Sequence, residues 1–112
     1  MSLFTEIEEK LRYAEYLLNH SPPYPEAAVK HLLRAANKLV QSYLNLPRLA
    51  SVSPFLASQK LCAGNDAEKK FGEAFLHLWK LSIKPTVAKE DALNAYKAVK
   101  AFLEYYKTKE AN

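Results

Sequence analysis

Residues 25–46 read PEAAVKHLLRAANKLVQSYLNL, and the placement of apolar side chains in this stretch decides the fold. One line at helical spacing runs Ala28, Leu32, Ala35, Leu39 and Tyr43; an adjoining line runs Val29, Leu33, Ala36, Val40 and Leu44. Steps of three and four residues put each set along one side of an α-helix. Two adjoining lines make an apolar face broader than a surface helix needs, so this helix is expected to have neighbours on two sides. Lys30, Arg34, Asn37, Gln41 and Asn45 form a polar line that leaves one strip for solvent or a partner.

Working outward, Thr5 and Glu8 have the form of a capping box, and Ile7, Leu11, Ala14 and Leu18 continue as a stripe, which predicts a helix over about residues 5–19. The following HSPPYP carries Pro22, Pro23 and Pro25, none of which suits a helix interior. So short and stiff a connection favours an antiparallel hairpin of the first two helices. Pro47 is expected to end the second helix, after which PRLASVSP loses periodicity. Ser53 and Pro54 then read as N-cap and first residue of a short helix over about 54–63. Gly64 is expected to close that helix in the left-handed conformation, and Asn65 with Glu68 forms a second capping box. A helix over about 66–82 follows, its stripe being Phe71, Ala74, Phe75, Leu78 and Leu81, with Gly72 marking a close helix crossing. Thr86 is the expected cap of a last helix over about 87–107. Its stripe is Ala88, Ala92, Ala95, Val99, Phe102 and Tyr106, and the tail KTKEAN is expected to fray. No stretch alternates long enough for a strand. The predicted fold is an all-α antiparallel bundle of four long helices and one short one, forming a single domain over residues 1–112.

Composition agrees with that architecture. The chain has 112 residues, 49% of them hydrophobic, and only two glycines. A chain of this length can bury roughly two thirds of its unfolded surface around one core without a metal or disulfide. Cys62 is the single cysteine, so the chain cannot close a disulfide on itself. No run of about eighteen apolar residues and no secretion-signal pattern occurs, and the expected setting is soluble and cytoplasmic, with no membrane attachment. The net charge is +4: Lys and Arg outnumber Asp and Glu by 6 to 5 over residues 1–53 and by 10 to 7 over residues 54–112. That is the balance of a solvated helical surface, milder than a dedicated nucleic-acid footprint.

Candidate chemistry is sparse. His20 ends the first helix, where a cation suits the dipole. His31 lies beside Lys30 and Arg34 and reads either as a surface histidine or as a phosphate contact. His77 lies among Leu76, Leu78 and Trp79 and reads as a packed or interface residue; with Glu73 one turn away it forms a local pair, not a metal set. Neither a metal site nor a bound cofactor is expected. With Gly64 and Gly72 as the only glycines, a phosphate-cradling GxGxxG loop is impossible. Cys62 reads as a small packed residue rather than a nucleophile. Trp79, Tyr96, Tyr105 and Tyr106 read as core or interface packing, or as stacking surfaces for bases.

The order of these signals resembles the HEPN superfamily. The resemblance is carried by LRYAEYLLNHSPPYPEAAVKHLLRAANKLVQSYLNL, with Tyr24, Ala27, Ala28, Ala35 and Ala36 at matching places, and by FGEAFLHLWKL followed by EDALNAYKAVKAFLEYY. Catalytic members of that family cut RNA with an Arg and a His four to six residues apart. Here those places hold Tyr13, Ala14 and Glu15 before His20, Tyr24, Pro25 and Glu26 before His31, and Lys70, Phe71 and Gly72 before His77. Lysine lacks the planar fork that clamps a phosphate. The resemblance therefore implies a non-catalytic homodimer that binds a nucleotide, a nucleic acid such as RNA, or a nucleotidyltransferase-type protein. The expected binding residues are Lys30, His31, Arg34, Asn37 and Lys38. Trp79 and Tyr105 are the expected interface residues, because they project away from the stripes of their helices. The alternatives are a helical-hairpin adaptor module and a ribonuclease using Lys70 and His77.

Overall fold

A computed structural model describes residues 2–47 and 53–111. Five helices and no strand occur among them: α1 (Leu3–Asn19), α2 (Pro25–Tyr43), α3 (Pro54–Cys62), α4 (Asp66–Ser82) and α5 (Lys89–Ala111). Most of PRLASVSP lies outside the described residues. The broad face of α2 packs against α1, α4 and α5, one neighbour more than its two apolar lines suggested. Ala28, Leu32, Ala35, Ala36, Leu39 and Val40 are completely buried there. Alanines let the neighbouring axes approach at one end of the bundle. At the other end rings fill the wider space: Tyr43 meets Phe102 at 4.9 Å and Tyr106 at 5.0 Å, while Phe71 stacks on Phe102 at 4.2 Å.

The helix ends follow local chemistry. Ser2, not Thr5, caps α1, its hydroxyl accepting from the Thr5 backbone N–H at 3.1 Å, so the helix starts two residues early. Helix α2 stops at Tyr43 because Asn45 adopts a left-handed φ of 55°. The Leu46 N–H then reaches the Gln41 carbonyl and the Asn45 N–H reaches that of Ser42, a Schellman closure that ends the helix before Pro47 acts. Ser53 and Pro54 start α3 as expected, and Asn65 with Glu68 forms the complete capping box of α4.

Gly64 is not left-handed. It leaves room instead for the Glu68 carboxylate, which a Cβ at residue 64 would strike as it reaches back to the Asn65 N–H. Helix α5 starts at Lys89, so Thr86 is not its cap, and it continues through Ala111 where fraying was expected. Three contacts hold this end. Tyr106 shares a 2.7 Å hydrogen bond with Ser42, Lys107 pairs with Glu8 at 3.1 Å, and Lys109 donates to the Tyr43 hydroxyl at 3.0 Å.

Gly72 does mark a close crossing. The Ser58 hydroxyl donates to the Gly72 carbonyl at 2.8 Å, and a Cβ added at residue 72 would lie 3.0 Å from Cys62 Sγ, Leu61 Cβ and the Ser58 carbonyl oxygen. Alanine gains up to about 1 kcal/mol of helix propensity over glycine, but overpacking a tight contact costs about 1–3 kcal/mol. Because one obstructing atom belongs to the α3 backbone, the packing cost prevails. Gly72→Ala is expected to destabilise the protein by about 1 kcal/mol in denaturant unfolding; equal or greater stability would show that α3 yields freely.

Candidate functional site

The hairpin of α1 and α2 carries an outward row of rings. Leu11, Ala14, Leu17 and Leu18 face the core, which turns Tyr13 and Tyr16 to the outside three residues apart on α1, and half-buried His20 follows as the extended C-cap residue. Tyr24 extends the row past the proline-rich connection, where its backbone N–H donates to the Leu17 carbonyl at 2.9 Å. His31 of α2 meets Tyr13 edge-on. Successive centroids from His31 through Tyr13, Tyr16 and His20 to Tyr24 are 4.7, 6.1, 5.9 and 4.9 Å apart. Tyr13, Tyr16 and Tyr24 are 48%, 59% and 46% exposed, so these rings lie at the surface rather than in the core, with Tyr13 and Tyr16 stacked on each other. The His20 Nδ1–H donates to the Pro22 carbonyl at 3.0 Å, which fixes that ring.

Cations border this row. Arg34 and Lys10 both act electrostatically on His31, and exposed Lys30 precedes it on α2. Burial first, then Arg34, then Lys10, hold His31 below its ordinary value of 6.5, so the ring is neutral at pH 7. Of the expected binding residues, His31 thus meets a tyrosine and Arg34 lies close enough to act on His31, while Lys30 is exposed next to His31 in the chain. Asn37 is half-buried farther along α2, and Lys38 pairs with Glu6 at 2.9 Å. A pair this exposed contributes at most about 1 kcal/mol and leaves Lys38 less available to a ligand than Arg34.

Clefts also lie elsewhere among the described residues. One of about 380 Å³ between α1 and α5 is lined by Glu8, Arg12, Glu15, Tyr96 and Lys100, among others. Several of its polar groups are already engaged: Glu8 with Lys107, Glu15 with the Tyr96 hydroxyl at 3.1 Å, and Lys100 over the Tyr96 ring. Another, of about 370 Å³ between α4 and α5, is walled by Ala67, Phe71, Ala98, Ala101, Phe102 and Tyr105.

The aromatics of α4 and α5 expected as stacking surfaces are engaged within the chain. Tyr96 and Tyr106 are buried, and Tyr105 accepts a 2.8 Å hydrogen bond from Asn65 while stacking on Phe102. Phe55 packs edge-on against Trp79 at 5.2 Å within one chain. His77 is exposed rather than packed, and among the described residues no group of three or more His, Cys, Asp or Glu side chains is placed to hold a metal. Tyr13 and Tyr16 of α1 are not among the residues expected from the sequence to bind a ligand. Their signal was in the sequence, since Tyr13, Tyr16 and His20 form an aromatic line about 100° from the Ala14 stripe. No family model, curated protein or solved structure matches the chain.

His31 reports on this face. Its depressed value means that its contribution to stability is present above pH 6.5 and is lost as pH falls through the folded-state value. Arg34→Gln removes the second cause but not burial. The His31 midpoint, followed by NMR, is therefore expected to rise in that variant while staying below 6.5; an unmoved midpoint would separate Arg34 from the ring.

Proposed function

We propose that this chain is a non-catalytic, HEPN-like helical protein that acts as a homodimer and binds nucleotides or nucleic acid on the outer face of α1 and α2. The observation that carries this reading is the row of exposed Tyr13, Tyr16 and Tyr24 joined by half-buried His31 and His20, with Lys10 and Arg34 acting on His31 at one end. Rings offer bases a stacking surface, and cations meet the phosphates. The resemblance described above supplies the nucleotide class and, through its missing Arg and His motif, the absence of cleavage. Exposed Phe55, which packs on Trp79, and exposed Leu56 and Ile83 on α3 and at the end of α4 support self-association there. A second reading, a module that docks a nucleotidyltransferase-type or other protein partner, is favoured by the apolar cleft between α4 and α5.

Titration of fluorescent RNA at several salt concentrations tests the binding reading. Wild type is expected to bind at low salt and to weaken as salt rises. Tyr16→Ala is expected to lose about tenfold in affinity, the scale of one stacked base. Arg34→Ala is expected to flatten the salt dependence. Absence of binding at low salt would refute the reading, and cleavage of the RNA would refute its non-catalytic part. Sedimentation at micromolar concentration addresses the dimer: wild type is expected to be dimeric and Trp79→Ala shifted toward monomer, while a monomeric wild type would remove it.

A further inference from the structure

The seam between α1 and α2 has a readable register. Glu6 meets Lys38 at 2.9 Å, and Tyr13 meets His31 edge-on at 4.7 Å, so residue numbers rise along α1 as they fall along α2. Four residues forward from Glu6 and four back from Lys38 set Lys10 opposite Arg34. Three residues more on each helix arrive at Tyr13 and His31. The rungs of this part of the seam are therefore an acid with a base, a base with a base, and a phenol with an imidazole.

Like charges held side by side repel, and nothing in the chain relieves the middle rung. Glu6, one turn from Lys10, is taken by Lys38, and neither Lys10 nor Arg34 forms an ion pair among the described residues. The charged groups that act on His31 are Arg34 on its own helix and Lys10 on α1, both cations, and Tyr13 of α1 is its ring neighbour.

An anion completes this arrangement. A phosphate between Lys10 and Arg34 accepts from both, Arg34 offering a planar fork and Lys10 a mobile ammonium. Half-buried His31, one turn from Arg34, then faces a negative charge beside the two positive ones. Burial first, then Arg34, then Lys10 keep the ring neutral in the free protein. A bound anion leaves the burial in place but offsets both cations, which favours the charged ring.

We infer that Lys10, Arg34 and His31 form a phosphate-binding site across the α1–α2 seam, and that His31 takes a proton from solvent as the phosphate binds. The inference rests on the nucleic-acid reading of this face and adds its regulation. Linkage fixes the sign: when the anion favours protonation, protonation favours the anion by the same factor, so affinity rises as the solution becomes more acidic.

Sulfate, whose charge is constant between pH 5.5 and 7.5, tests the site by itself. Against chloride at equal ionic strength, it is expected to raise the NMR midpoint of His31 by about half a pH unit. An unmoved midpoint overturns the site. Fluorescence anisotropy with oligo(U), whose bases do not titrate in this range, tests the linkage at one low salt concentration. Wild type is expected to bind about fivefold tighter at pH 5.5 than at pH 7.5. His77→Gln, a change on α4, is expected to keep that ratio, while His31→Gln, its fold verified by circular dichroism, is expected to reduce it to within about twofold. If His31→Gln does not fold, the His31 midpoint of wild type saturated with oligo(U) decides instead, and a value no higher than in the free protein overturns the linkage. Equal wild-type affinity at the two pH values also overturns it, as does a fivefold ratio that survives in His31→Gln. Oligo(U) that binds at neither pH, while sulfate raises the midpoint, overturns the nucleic-acid reading and leaves the anion site standing.

Discussion

The structure depends on the burial of one helix on three sides. Seven side chains of α2, from Ala28 to Val40, are within 1% of complete burial, and three other helices supply the atoms that cover them. Burying each of the leucines and valines among them contributes roughly 1.5–3 kcal/mol, comparable with a sizeable part of a small domain's net stability. Helix α3 stands outside this arrangement and packs chiefly on α4, at the crossing where Gly72 leaves no room for a side chain. A radius of gyration of 13.4 Å is close to the roughly 13 Å of a folded domain this long.

A polar cluster joins the far ends of the helices. The Tyr43 hydroxyl donates to Glu68 and accepts from Lys109, while Asn65 donates to Tyr105. Burial first, then its neighbours Tyr105 and Glu68, raise Tyr43 far above the ordinary phenol range. The Asn65 backbone bond, first among several causes, holds Glu68 below the ordinary glutamate value. Both shifts keep the pair in the protonation states that make their hydrogen bond, a phenol donating to a carboxylate. The same Glu68 thus caps α4 and joins it to α2.

Helix positions were legible because each long helix repeats its apolar residues at helical spacing, and Asn65 with Glu68 behaved as local chemistry dictates. The errors came where a tertiary contact or an unweighed residue decided the end. Asn45 took the left-handed turn before Pro47 was reached, and the tail of α5 stayed helical because Lys107 and Lys109 find Glu8 and Tyr43 on other helices. The ring row was harder still. Tyr13 and Tyr16 share a helix face, but that His31 closes the row from α2 and Tyr24 extends it across the connection follows only once the hairpin is folded. Of the aromatics on α4 and α5 that the sequence offers for stacking, Tyr96 and Tyr106 are taken by the core.

What distinguishes this face from the α4–α5 cleft is the chemistry each can offer. The face has exposed tyrosines beside cations, and the cleft has apolar walls with Asp66 and Lys70 at its margin. Chemical-shift mapping of isotopically labelled protein with oligo(U) compares them in one sample. Binding as described here concentrates the perturbations at Tyr13, Tyr16, His20, Tyr24, His31 and Arg34; perturbations centred on Phe71, Ala98 and Ala101 would contradict it.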